Sequence, residues 1–82
     1  MEILPIHNDI IVYLKQRGLE KKFEKQLKLF LSNPFHPSLN TELLEPKNLR
    51  LWSFRVDKKY RAIFFFHSSV LVEIIDVNNH YN

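Results

Sequence analysis

The stretch "SFRVDKKYRAIF" places Arg55 and Arg61 on either side of a short charged break. If Asp57–Lys59 is a three-residue loop between antiparallel strands, Arg55 lies directly opposite Arg61 on one face of the sheet. Two guanidinium groups so placed repel unless an anion or a carboxylate lies between them. A phosphate would suit, because the guanidinium fork matches a pair of phosphate oxygens. Asp76 is the competing answer. If the next break, Ser68–Ser69, is a two-residue turn, Arg61 also neighbours Asp76, and the cluster is an ion pair with Arg55 left on the surface. Both readings stand at this point. His80 and Tyr81 follow the strand-like run "VLVEIIDV" by a few residues, and an imidazole titrates near neutral pH. Two arginines, an imidazole and a carboxylate suffice for metal-independent phosphodiester chemistry. A base deprotonates the nucleophile, an acid protonates the leaving oxygen, and cations stabilise the developing charge. With RNA the nucleophile can be the substrate's own 2′-hydroxyl.

No other catalytic plan is supported. The chain has no cysteine, hence no thiolate nucleophile, disulfide framework or thiolate metal site. A Gly-rich phosphate loop and an HExxH helix are also missing. The histidines at 7, 36, 67 and 80 show no metal-ligand spacing, and no cofactor is expected. His36 reads as a loop residue, His67 as a turn residue and His7 as a helix-flanking residue.

The elements that position these groups follow from periodicity. The 82 residues, 45% of them hydrophobic, suit one small domain with its own core. "MEILPI" is short and apolar, and Pro5 confines it to a sheet edge. Asn8 or Asp9 can cap a first helix that stops at Gly18. Leu19, Phe23, Leu27, Phe30 and Leu31 form the stripe of a second helix, which ends at Asn33-Pro34. "FHPSLNTELLEPKN" reads as a loop. From Leu49 onward the period changes to two, and "LRLWSFRV", "YRAIFFFH" and "VLVEIIDV" read as a three-stranded meander. Trp52, Phe54 and Val56 share a face with Tyr60, Ala62, Phe64 and Phe66. The other face carries Arg55, Arg61, Ile63, Phe65 and Asp76. The expected order is β-α-α-β-β-β, an α+β domain with the helical hairpin on the apolar face of an antiparallel sheet.

The net charge is +3, and the excess is local. Lys15, Arg17, Lys21, Lys22, Lys25 and Lys28 outnumber Glu20 and Glu24 in one segment, which suits a polyanion or an acidic protein partner. A solvated helix face with Glu–Lys pairs is the plain alternative. The opening "MEILPIHNDI" has an early glutamate and no basic start, and no apolar run approaches the roughly 20 residues of a membrane span. A soluble, cytoplasmic protein is expected, with no membrane partner.

The pieces "NPFHPSLNTELL", "LWSFRVDKKYRAIF" and "VEIIDVNNHY" together resemble the RelE/ParE superfamily of bacterial and archaeal toxin–antitoxin toxins over nearly the whole chain. The middle piece is similar to a hairpin with the pattern W-S-x-R-(I/V)-x-x-x-(Y/H)-R-(hydrophobic)-(I/V)-(F/Y). The terminal His-Tyr is similar to that of the YoeB-like branch, and "VEIIDVNNHY" is also similar to a HigB-like ending. The resemblance implies a microbial-RNase-like α+β fold spanning residues 1–82. It also implies ribosome-dependent cleavage of mRNA through 2′-hydroxyl attack. By position it implies Arg61 at the scissile phosphate, His80 as general acid and Tyr81 beside the substrate. Glu42, ten residues before Trp52, is implied as general base, with Glu45 as the fallback. Arg55, Lys58 and Lys59 are implied on the substrate-binding side, and Lys21, Lys22, Lys25 and Lys28 as contacts to ribosomal RNA. The implied partners are a cognate antitoxin in a hetero-oligomer, the ribosome and mRNA. A ParE-like toxin acting on gyrase is the alternative, although that branch generally lacks the histidine and the glutamate. An inactive antitoxin-binding homologue is another.

Overall fold

The computed structural model describes residues 1–80. Five strands form one sheet: β1 (Glu2–Ile3), β2 (Glu42–Leu43), β3 (Trp52–Arg55), β4 (Arg61–Phe66) and β5 (Leu71–Asn78). Their order across the sheet is β1-β5-β4-β3-β2. The three long strands are the expected antiparallel meander, and β1 joins at one edge, parallel to β5. The helices α1 (Asn8–Gln16) and α2 (Glu20–Ser32) lie between β1 and β2 in the chain. The fold is therefore α+β, with one strand more than the sequence reading expected.

The helical hairpin is shaped by its stops. The residue flanking α1 at its start is His7, in extended conformation and without a side-chain cap bond. The helix thus begins one residue earlier than a cap at Asn8 would place it, and two earlier than a cap at Asp9 would. At the other end Gly18 takes φ 65°, and the amide of Leu19 bonds the carbonyl of Leu14 at 2.9 Å while that of Gly18 bonds Lys15 at 3.2 Å. This pair of bonds satisfies two terminal carbonyls, and only glycine takes the left-handed backbone without strain. Leu14 and Leu19 are both buried beside it. In α2, Phe23 and Phe30 are buried, and Leu27 and Leu31 pack against the core. Phe30 meets two strands at once. Its ring stacks on Phe54 at 4.8 Å and stands edge-on to Phe64 at 4.7 Å.

Two details of the sheet depart from the sequence reading. The stretch Phe35–Asn48 is not a plain loop. His36 Nδ1 accepts a bond from the Ser38 amide to start a 3₁₀ turn over Pro37–Leu39, Leu39 is fully buried, and Leu44 is buried as well. Glu42 and Leu43 then pair with Ser53 and Trp52 as the edge strand β2. A second 3₁₀ turn spans Lys47–Leu49. The other departure is in β5. Asp76 faces Ile63, and Asn78 rather than Asp76 faces Arg61. Two single-residue effects cause this. Val70 belongs to the turn, where its amide bonds Ser68 Oγ and Leu71 closes onto His67. Further on, Ile75 is the extra residue of a β-bulge, unpaired between Ile74 opposite Phe64 and Asp76 opposite Ile63.

The β3–β4 turn is the expected three-residue loop, and Arg55 pairs with Arg61. Asp57 holds it: Oδ1 accepts from the amides of Lys59 (2.9 Å) and Tyr60 (2.8 Å), and Lys22 Nζ donates to Oδ2 at 3.2 Å. Burial alone would raise this carboxyl, but the two amides and Lys22 outweigh it and hold it below its ordinary 3.8. A depressed carboxyl contributes stability that is fully present above the unfolded value and lost as pH falls through the lower folded value. Asp57→Asn is therefore expected to flatten the loss of stability below pH 3.8. Urea unfolding at a series of acid pH values would show it, and a slope equal to the wild type's would exclude the assignment.

Glu73 makes a second tie, between β5 and the start of α1. Its carboxylate meets His67 Nε2 at 2.8 Å and His7 Nε2 at 2.6 Å. These two bonds, that of His67 first, hold the Glu73 carboxyl below its ordinary range. Among the described residues no helix is long and apolar enough to cross a membrane.

Candidate functional site

The sheet face away from the helices has a polar floor. Arg55 and Ser53 on β3, Arg61 and Ile63 on β4, and Asn78 and Asp76 on β5 share it by register. Ser53, Arg61 and Asn78 are buried, whereas Arg55 is exposed. Burying an arginine this deeply is costly unless its donors are satisfied. Here they are met by neutral oxygens. Nε donates to Ser53 Oγ at 2.8 Å, and Nη2 donates to the main-chain oxygens of Ser53 (3.3 Å) and Asn40. Glu42 Oε1 stands 3.7 Å from Nη2 and supplies the nearest carboxylate. Burial pushes the Arg61 guanidinium below its ordinary value, Glu42 opposes that shift and Arg55 adds to it. The group stays a cation throughout the physiological range, as arginine does.

Asn40 settles how two arginines coexist. It ends the first 3₁₀ turn in the left-handed conformation, with φ 46°, a backbone that asparagine tolerates better than most residues. Its main-chain oxygen serves Arg61. With its amide oxygen turned toward the sheet, Oδ1 accepts from Arg55 Nη2 at 2.8 Å and Nη1 at 3.3 Å. One neutral residue thus engages both cations and cancels neither charge. Asp76, expected as the partner of Arg61, instead accepts from Asn78 Nδ2 at 2.7 Å.

The structure therefore brings Arg55, Arg61 and Glu42 together. Side-chain exposure is 9% for Arg61 and 59% for Glu42, so the carboxylate is open to solvent beside a fixed cation. His80 lies two residues beyond Asn78, the pairing partner of Arg61, and its amide bonds Asn78 Oδ1 at 3.1 Å. Its side chain is exposed. Tyr81 lies outside the described residues. Lys58 and Lys59 are exposed in the hairpin loop next to the arginine pair. On α2, Lys21, Lys25 and Lys28 are exposed, and Lys22 is engaged by Asp57. This helix packs on the opposite face of the sheet from Arg61. Sequence reasoning missed Asn40, Ser53 and Asn78. Ser53 alone carried a signal, since alternation from Arg55 puts it on the arginine face.

Chemically, the arrangement is a preorganised cation with an exposed carboxylate and a second arginine at its rim. It suits an oxyanion held between Arg55 and Arg61, within reach of a base.

No protein-family model matches the chain, and neither does any curated protein. Solved structures do match. A YoeB/ParE toxin from Agrobacterium tumefaciens shares 19% identity and superposes with a TM-score of 0.73 over 99% of this chain and 100% of that one. The YoeB-YefM complex from Staphylococcus aureus contributes a chain at 18% identity and a TM-score of 0.70, covering 99% of this chain and 98% of that one. A heterotetrameric YoeB-YefM toxin-antitoxin complex from the same organism gives 20% identity and 0.68, with 98% and 94% covered. These matches span both chains nearly end to end, and this chain has the fold of the YoeB/ParE toxins.

Proposed function

We propose that the chain is the toxin of a toxin–antitoxin pair and an endoribonuclease that cleaves mRNA on the ribosome. The observation that carries this reading is Arg61: a buried, charged guanidinium fixed by neutral oxygens, beside Glu42 and opposite Arg55, on a toxin fold. Arg61 and Arg55 hold the non-bridging oxygens of the scissile phosphate. Glu42 removes the proton of the adjacent 2′-hydroxyl, whose oxygen forms a bond to phosphorus. The bond from phosphorus to the 5′-oxygen breaks, and His80 protonates that oxygen. The products are a 2′,3′-cyclic phosphate and a 5′-hydroxyl, and no protein nucleophile takes part. Tyr81 completes the substrate side, and Lys58, Lys59 and the lysines of α2 add sequence-independent attraction to RNA. An antitoxin masks these surfaces in a hetero-oligomer, as YefM accompanies YoeB in the solved complexes.

The test is cleavage of an mRNA on purified programmed ribosomes, with end mapping. The wild type is expected to leave 5′-hydroxyl ends. His80→Ala is expected to slow cleavage by about 10²–10⁴-fold, the usual contribution of a general acid. Growth arrest with a DNA-damage response and intact mRNA would point instead to a toxin acting on gyrase.

A further inference from the structure

A well-formed cleft lies away from the arginine pair. It lies across β2, on the sheet face that also carries Trp52. About 630 Å³ in volume, it is lined by Leu43, Lys47, Asn48, Arg50, Trp52 and Phe66. That volume falls in the range of small-ligand sites. The two sites share one strand. Along β2 Glu42 stands beside Arg61, and the next residue, Leu43, turns to the cleft. Successive side chains of a strand face opposite sides, so only the thickness of a two-residue edge strand separates them.

Three features of the cleft point to one ligand chemistry. Trp52 is the only tryptophan of the chain and is half-buried. Phe35 and Phe66 stand edge-on to it at 5.7 and 5.8 Å, which fixes the ring without closing the cleft. Lys47 and Arg50 bring two exposed cations, and no carboxylate belongs to the lining. Finally, Arg50 holds φ 55° at the end of the second 3₁₀ turn. That conformation is costly for a long side chain and suits glycine or asparagine. An arginine kept in a strained backbone at the mouth of a cationic cleft is the kind of outlier that marks a ligand site.

We propose that this cleft binds a nucleotide of single-stranded RNA flanking the cleaved phosphate, as the strand passes over β2. The base packs against the ring of Trp52 on a floor of Leu43 and Phe66. The phosphate lies between Lys47 and Arg50, and the Asn48 amide faces the base edges. Base–aromatic contact with a cationic rim is how single strands are held without a sequence code. The inference rests on the RNA-cleaving reading for the identity of the ligand, but its test does not need cleavage.

Because Trp52 is the sole tryptophan, its fluorescence reports on the cleft directly. The probe is a 2′-O-methyl RNA hexamer, which lacks the attacking hydroxyl. Titration is expected to quench Trp52 in a saturable way that weakens with added salt. In a Lys47→Ala/Arg50→Gly variant the affinity should fall by about tenfold or more. Glycine relieves the positive φ, so this variant should stay folded, with a melting temperature no lower than that of Lys47→Ala alone. Absence of quenching overturns the proposal. So does quenching that survives Lys47→Ala/Arg50→Gly unchanged, or an acidic peptide that quenches as well as the hexamer at equal concentration. If mRNA is cleaved but Trp52 does not respond, only the cleft assignment fails. If Trp52 responds and no mRNA is cleaved, the catalytic reading fails and the cleft stands.

Discussion

Arg61→Ala is expected to reduce mRNA cleavage on programmed ribosomes by about 10²–10³-fold, the usual cost of removing one preorganised donor from a developing oxyanion. Arg61 is also a structural residue, and truncating it leaves Ser53 Oγ and the Asn40 carbonyl without their donor. Ser53 is fully buried, and a buried acceptor left unpaired costs about 1–3 kcal/mol, so the alanine variant loses stability as well as activity. Arg61→Lys separates the two effects. Lysine keeps the charge and can reach some of the same oxygens, but it lacks the fork that holds Nε on Ser53 while Nη faces the phosphate. The expected pattern is a folded lysine variant, by circular dichroism and thermal melting, whose cleavage remains far below wild type. Near-wild-type cleavage by Arg61→Lys would mean that point charge suffices and that the fixed fork is irrelevant.

The largest effect on stability is expected at Phe30. Its ring is fully buried, stacked on Phe54 and edge-on to Phe64. It is the residue through which α2 grips both central strands. Phe→Ala in a close-packed core costs about 3–5 kcal/mol, and the whole stability of a chain this length is about 4–12 kcal/mol. Phe30→Ala should therefore leave a marginal or unfolded protein, and Phe30→Leu a weakened one. Urea unfolding followed through Trp52 fluorescence measures both. A loss under about 1 kcal/mol for the alanine variant would show that the neighbours collapse into the space.

How far the sequence could be read depends on which physical signal carries each element. The β3–β4 hairpin was legible because alternation on both sides of Asp57–Lys59 fixes loop length and register together. A one-residue error would have put Trp52, Phe54 and Val56 opposite the wrong face. The helices were legible from the Leu19–Phe30 stripe and Gly18. β2 was not, because two residues between prolines show no period and their pairing depends on β3 alone. Asp76 was misplaced for a related reason. Val70 and Ile75 are apolar residues in an apolar run, and nothing in their type says that one is in a turn and the other bulged. At the site, Arg55 and Arg61 could be paired from alternation. Asn40 could not, because its contribution comes from a main-chain oxygen and an amide held in a left-handed backbone. The position of Glu42 came from resemblance, and the structure supplies its distance to Arg61.

The bulge at Ile75 separates two properties that a regular strand ties together, pairing and direction. Because Ile75 has no partner on β4, the pairs on both sides of it would keep their registers if the chain lacked it. What would change is the bend and extra twist that a bulge imposes, and therefore the line along which the chain leaves the sheet after Asn78. Residue 75 is thus free to set the aim of His80 without disturbing the strand that anchors it. In this fold the aim of His80, the proposed general acid, and the integrity of the sheet can change independently.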